Sequence, residues 1–266
     1  MGLLEAILIA IVEGLTEFLP ISSTGHMIVT EKLLGVPDTD FTKLFTVGIQ
    51  LGAILAVVVM YWKKFIAPLR NRTAGMKFYV KLFVAATPAL CLGYLLSDYI
   101  DELLESTLTV AIALVAGGIV LLFIDRLFTK ETIQEEEQID FWKAFKIGCW
   151  QCIAMIPGVS RSASSIIGGM QQQLSRTLAA EFSFFLAVPT MAAATGYKLL
   201  KGYKQISTAD LQLFAIGNAV AFVVSLLAIQ FFIRFVQRNG FKVFAFYRIV
   251  AGTILLILLA TGYLKT

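Results

Sequence analysis

Charge is what this chain has least of. Only 15% of its residues are charged against 58% hydrophobic, and its mean hydropathy is +0.80. A soluble domain carries about 25% charged and about 45–50% apolar residues. The shortage therefore excludes an ordinary soluble domain. No run alternates polar and apolar residues with strand period, which argues against a β-barrel. No basic stripe interleaves with aromatics, so nucleic acid is not implied as a partner. The net charge of +4 reflects loop lysines and arginines instead. Cysteine is sparse too: Cys149 and Cys152 have a redox or zinc spacing, but no second Cys/His pair completes a zinc site. These two and Cys91 read as reduced packing residues. No positive segment precedes the first apolar run and no small-residue cleavage site follows it, which argues against a signal peptide.

What is present is a series of long apolar runs. Crossing a bilayer as helix takes roughly 20 apolar residues. Runs of that length fall at about 42–62, 78–97, 107–127, 177–198, 209–233 and 243–263. Residues 3–34 and 141–172 instead hold pairs of pieces too short to cross, a length that fits re-entrant segments. The expected fold is an all-α polytopic membrane protein with six full transmembrane helices plus two re-entrant helical hairpins. It forms a single membrane domain, 1–266.

The order of elements repeats: a short hairpin and three spans, twice. The copies are approximately 1–128 and 141–264, linked by an acidic loop, 129–140. At one common offset Pro20 falls on Pro157, Ser23 on Ser160, Phe45 on Phe182 and Gly52 on Pro189, the last a helix-perturbing residue at each place. Three spans per copy is odd, so the second copy enters from the opposite face. This inverted repeat lets the two re-entrant tips meet near the midplane.

Loop charge orients the chain. Lys63, Lys64, Arg70, Arg72 and Lys77 read as cytoplasmic, as do Arg126, Lys130, Lys143, Lys146, Arg234, Arg238 and Lys242. Asp98, Asp101, Glu102 and Glu105 read as external. Lys198, Lys201 and Lys204 fall outside on this count and break the rule. The run Glu135-Glu136-Glu137 reads as a solvated loop.

Each hairpin carries a polar island inside apolar sequence. The first is Glu13-Gly14-Leu15-Thr16-Glu17-Phe18-Leu19-Pro20-Ile21-Ser22-Ser23-Thr24-Gly25-His26. The second is Pro157-Gly158-Val159-Ser160-Arg161-Ser162-Ala163-Ser164-Ser165. Ionisable groups at membrane depth are expensive and mark working sites. Glu13 and Glu17 are one helical turn apart, so a helix puts both carboxylates on one face. Two carboxylates in low dielectric share a proton or are bridged by a cation. Oxygen-only ligands favour a hard divalent ion, Mg²⁺ or Ca²⁺. Pro20 ends the first helix, and Ser22-Ser23-Thr24 reads as the cap of the returning one. In the second island Pro157-Gly158 makes the break and Ser160 can cap. A helix N-terminus with Arg161, Ser162 and spare N–H donors suits a phosphate, and two such N-termini face to face suit a diphosphate.

Bland readings compete with these. Ser and Thr in membrane helices often only bond backbone, and Gly117-Gly118 and Gly168-Gly169 read most simply as close helix contacts. A lone histidine is commonly a satisfied core residue. His26 is the sole one in the chain and directly follows Ser-Ser-Thr-Gly, which favours function. Arg161 is hardest to dismiss, because an unpaired guanidinium is expensive in a bilayer.

These islands resemble the signatures of the undecaprenyl-diphosphate phosphatase family, the bacitracin-resistance type of integral-membrane phosphatase. The Glu13–His26 island resembles the family's glutamate-rich motif in full, and Pro157, Gly158, Ser160, Arg161 and Ser162 match its Pro-Gly-x-Ser-Arg-Ser motif. The family commonly continues Gly-Ala-Thr where Ala163, Ser164 and Ser165 stand here. The resemblance implies a divalent-cation-dependent hydrolase in the bacterial plasma (inner) membrane, its site open to the outer, periplasmic face. It would convert undecaprenyl diphosphate to undecaprenyl phosphate and phosphate, recycling the carrier lipid for peptidoglycan and conferring bacitracin resistance. Taken with the residues, it gives Arg161, Ser160, Ser162, Ser165, Ser22, Thr24 and Gly158 to the diphosphate. Glu13 and Glu17 go to the metal. Ser23 is the leading nucleophile, with His26 one turn away as its base. Attack by His26 itself, or by Ser22 with a glutamate as base, stays open. Expected partners are the lipid substrate, membrane lipids and, as an open option, a second copy of the chain. The competing class is a secondary transporter or lipid flippase, because inverted repeats with broken helices are transporter architecture. A non-catalytic lipid-binding protein is the third reading.

Overall fold

The computed structural model describes residues 1–70, 72–104, 106–203 and 206–263. Glu105, Lys204 and position 264, used in the charge and repeat readings, lie outside them, as do the side chains of Arg70, Arg72, Asp98, Asp101 and Glu102. The helices are, in order, α1 (Leu3–Thr16), α2 (Ser23–Leu34), α3 (Asp40–Gly48), α4 (Gln50–Met60), α5 (Trp62–Arg70), α6 (Arg72–Leu95), α7 (Ser97–Leu104), α8 (Thr107–Leu127), α9 (Phe141–Gln151), α10 (Arg161–Gln171), α11 (Arg176–Gly202), α12 (Thr208–Asn239) and α13 (Lys242–Ala260). Short 3₁₀ turns occupy Glu136–Gln138 and Cys152–Met155. Among the described residues six stretches are long and apolar enough to cross a membrane: Asp40–Met60, Gly75–Leu95, Thr107–Leu127, Arg176–Gly202, Asp210–Asn239 and Lys242–Ala260. The protein is an all-α, multi-pass membrane protein. Large apolar side chains such as Leu227, Phe231 and Val250 stay exposed on its flanks, where lipid replaces water.

The hairpin helices are too short to cross. α1 and α2 have 14 and 12 residues, and α9 and α10 have 11 each. Each hairpin turns back at a serine in the left-handed region, Ser22 at φ 70° and Ser160 at φ 80°. Each of these serines caps the helix that follows. Ser22 Oγ accepts from the Gly25 N–H and Ser160 Oγ from the Ala163 N–H. The returning helices end alike, at Gly35 (φ 66°) and Gln173 (φ 68°). Backbone conformation therefore matches Ser22 with Ser160, one place earlier than the sparse identities suggest, and puts Ser23 opposite Arg161.

Packing interleaves the two halves. The first hairpin's α1 lies on α12, and the second hairpin's α9 lies on α6. The third spans, α8 and α13, pack on each other. A phenylalanine-rich core that includes Phe18, Phe184, Phe185 and Phe232 fills the space between them.

Several expectations change. The first span is not one helix but breaks at Ile49, between α3 and α4. Gly52 is not the breaker. A Cβ there would sit 2.2 Å from the Asn218 carbonyl oxygen, so the glycine serves close approach of α4 to α12. Side chains from other spans answer the groups freed by the break: Asn218 Oδ1 accepts from the Gly52 N–H at 2.6 Å, and the Thr195 hydroxyl donates to the Val47 carbonyl at 3.3 Å. Pro189 leaves α11 uninterrupted. Finally, the acidic loop is only partly solvated. Glu136 is buried, and Lys81 donates to both its carbonyl, at 2.7 Å, and its carboxylate. Beside it, a hydrogen bond from Lys64 holds the Glu137 carboxyl below its ordinary range. The three cysteines are free thiols, and two of them, Cys91 and Cys149, are exposed instead of packed.

Candidate active site

The two tips meet, and polar groups from both converge. Glu17 follows directly on α1, one turn beyond Glu13. Its Oε2 accepts a 2.5 Å hydrogen bond from Ser23 Oγ, the first residue of α2. Its Oε1 accepts a 2.8 Å ion pair from Arg161 Nη2, the first residue of α10. One carboxylate thus joins a hydroxyl of its own hairpin to a guanidinium of the other. Arg161 is steadied on its far side by the Ser183 carbonyl at 3.0 Å, and its guanidinium lies over the Phe18 ring. Glu13 is wholly buried, and among the described residues neither of its oxygens has a hydrogen-bond partner.

These groups wall a cavity of about 190 Å³. Glu17, Ser22, Ser23, Thr24, Ser160 and Arg161 line it, together with Gly158 and Gln50. Gln50 is the first residue after the break in the first span, so the discontinuity opens onto this cavity. A larger hollow of about 770 Å³ is lined by α12 residues alone, from Leu227 to Asn239. One helix encloses nothing, so that hollow is open surface.

Four of the expected residues stand at the site without lining the cavity: Glu13, Ser162, Ser165 and His26. Ser162 is wholly buried and donates to the Leu19 carbonyl at 2.7 Å, tying the second tip to the first. Ser165 bonds Ser183 Oγ at 2.7 Å and its own helix backbone at Arg161, so it supports the residue that braces Arg161. His26 turns away from Ser23. Its Nδ1 meets the Ser22 carbonyl at 2.7 Å and its Nε2 meets the Tyr247 hydroxyl at 2.6 Å, with the two rings stacked. A carbonyl only accepts, so Nδ1 carries the proton and Nε2 accepts from the tyrosine. Gly158 is both a cavity wall and a close-contact residue. Its φ is 92°, and a Cβ would lie 2.5 Å from the Val110 carbonyl oxygen. Ala163 is buried in α10, where its N–H donates to Ser160 Oγ.

Sequence reasoning missed Gln50, Ser183, Tyr247 and Arg248. Arg248 had a readable signal: it is an arginine inside the last apolar run, and such residues are functional by default. It is wholly buried and donates to five backbone carbonyls. The other three are neutral residues in apolar runs and carry no comparable mark.

The donor set bears on a metal. Among the described residues no group of three or more His, Cys, Asp and Glu converges. The unpartnered, buried Glu13 carboxylate beside Glu17 still fits a hard cation, provided water and substrate oxygens complete its shell. A thiophilic metal has no ligands here.

The chain is similar to known proteins over nearly its whole length. Residues 6–254 match the model of the family described as bacitracin resistance protein BacA. The chain is similar to an undecaprenyl-diphosphatase of Flavobacterium johnsoniae, 56% identical over 97% of this chain and 96% of the relative. Another, from Flavobacterium psychrophilum, is 57% identical over 97% of this chain and 96% of that protein. A third, from Bdellovibrio bacteriovorus, is 49% identical over 99% and 98% respectively.

Proposed function

We infer from one fact, that the chain belongs to the bacitracin resistance protein BacA family, what the buried cavity is for. The protein is an undecaprenyl-diphosphate phosphatase. It removes the terminal phosphate of the lipid diphosphate and returns the monophosphate carrier to peptidoglycan synthesis, which confers bacitracin resistance. The observation that carries this reading is the hydrogen-bonded series Ser23–Glu17–Arg161 on one cavity wall. It sets a nucleophile, a base and an anion-binding group side by side, a combination that binding alone does not require.

Ser23 Oγ attacks the terminal phosphorus while Glu17 Oε2, 2.5 Å away, takes its proton. The bond from phosphorus to the bridging oxygen breaks. The departing lipid monophosphate is a weak base and needs no acid. Water then attacks the phosphoserine, the P–Oγ bond breaks, and Ser23 recovers the proton held by Glu17. Arg161 holds the phosphoryl oxygens, helped by Ser22, Thr24 and Ser160 at the cavity wall. His26 fixes the carbonyl of Ser22 and hence the turn that presents Ser23. Glu13 and Glu17 would hold Mg²⁺ or Ca²⁺, which offsets phosphoryl charge when bound.

A cavity of about 190 Å³ is several water volumes, at about 30 Å³ each, and takes a diphosphate headgroup but not a prenyl tail. The tail stays between spans, in lipid. Ile100, on the segment read as external from its acidic residues, lines the cavity, which supports a site open to the outer face of the bacterial inner membrane.

The broken first span and the interleaved halves favour one second reading, a lipid transporter. Phosphate release from a long-chain prenyl diphosphate by pure protein in detergent, with and without EDTA, decides between them. EDTA-sensitive release supports the phosphatase. Lipid movement across vesicles with no phosphate release supports the transporter.

A further inference from the structure

Among the described residues Arg248 is the largest wholly buried side chain, and the reaction above does not use it. Among the described residues no carboxylate pairs with it. Its donors go to the Pro20 carbonyl at 3.0 Å on the first tip, and to Gly158 and Val159 at 2.9 Å each on the second. The rest go to Ala113 at 3.2 Å and Leu114 at 3.4 Å, in the middle of α8. Among the described residues the three tip carbonyls accept no other backbone hydrogen bond, as befits irregular chain at membrane depth that must be satisfied from elsewhere. Pro20 lies just before Ser22 and Ser23, and Val159 just before Ser160 and Arg161.

We propose that Arg248 is a positioning residue that locks the two re-entrant tips into register against α8, and thereby sets the alignment of Ser23, Glu17 and Arg161 for phosphoryl transfer. The proposal deepens the phosphatase reading and rests on it for the kinetic outcome. A planar guanidinium with five fixed donors can span two tips and a helix at once, whereas a lysine ammonium has three donors on one atom and cannot. The neighbouring span leaves room for this geometry alone. A Cβ at Gly117 of α8 would sit 2.2 Å from Arg248 Nη2 and 2.9 Å from its Cζ. Gly117→Ala therefore presses the guanidinium off its carbonyls while the charge stays in place. Gly117 does not line the cavity.

The test compares Arg248→Lys and Gly117→Ala with Lys81→Met, which breaks a buried ion pair between α6 and the Glu136–Gln138 turn, in neither tip. Turnover of a prenyl diphosphate, melting in detergent and amide exchange of residues 17–26 and 157–165 are read on each. A misplacement of about 1 Å costs on the order of 100-fold in rate. The expected result for Arg248→Lys and Gly117→Ala is a kcat lowered about 10- to 100-fold with KM changed far less, and faster exchange confined to the two tips. Lys81→Met should melt earlier, with wild-type kcat and wild-type tip exchange relative to the rest of the chain. Wild-type tip exchange in Gly117→Ala overturns the proposal. So does a loss of kcat in all three variants that tracks only their melting. If wild-type protein releases no phosphate, the phosphatase reading fails by itself, and tip exchange still tests the lock.

Discussion

Glu17→Gln is the most telling single change at the site. It keeps the shape of the side chain and one acceptor oxygen, but removes the charge and the base. Glu17 has two partners to lose, Ser23 Oγ at 2.5 Å and Arg161 Nη2 at 2.8 Å. The amide oxygen can still accept from Arg161, so the guanidinium, 16% exposed, is not stranded. A full loss of a buried partner costs about 3–5 kcal/mol. Exchanging a charged for a neutral acceptor should cost less, about 1–2 kcal/mol. The chemistry suffers more. Loss of a positioned general base lowers the rate by about 10²–10⁴. We expect kcat for phosphate release to fall by about 10³ while the variant stays folded, with a melting point a few degrees lower. The assay is released phosphate per folded molecule in detergent, alongside a melting curve. A Glu17→Gln protein that turns over within about tenfold of wild type would refute the assignment of Glu17 as base.

Three further outcomes follow from the same contacts. Gly158→Ala should lower both stability and kcat, because an L-residue at φ 92° is strained by about 1–2 kcal/mol and its Cβ would meet the Val110 carbonyl; a melting curve and kcat together check this. Lys81→Met should cost about 3–5 kcal/mol by leaving the buried Glu136 carboxylate unpaired, with turnover per folded molecule unchanged; denaturant titration measures the loss. Tyr247→Phe removes only the hydroxyl that His26 Nε2 accepts from, so kcat should drop by less than about tenfold; a loss as large as that of Glu17→Gln would show that His26 takes part in proton transfer.

Hydropathy alone placed the six spans to within a few residues, because crossing lipid demands length and apolarity that few other folds need. The polar islands were equally legible. Carboxylates and an arginine stand out in an oily run, and Glu17, Ser23 and Arg161 do converge. Which group faces which was not legible. Ser23 and His26 are one turn apart in sequence, yet the left-handed turn at Ser22 aims Ser23 at Glu17, while His26 bonds back to the Ser22 carbonyl. The break at Ile49 was not read either: no proline stands there, Gly48 beside it packs closely on Phe214, and the supports of the break, Thr195 and Asn218, lie in the other half of the chain. Glu136 looked solvated because its partner, Lys81, is far away in sequence. Long-range partners of this kind decide burial, and residue spacing does not report them.

The central claim is that the two tips make one phosphoryl-transfer site with Ser23 as its nucleophile. Its most direct measurement is rapid quenching of the protein with a prenyl diphosphate labelled in the terminal phosphate, followed by mapping of the label. We expect acid-stable label on Ser23 in wild type, and none in Ser23→Ala, which should also lose about 10³-fold or more in phosphate release. Wild-type turnover by Ser23→Ala, or label on His26 instead, would contradict the account.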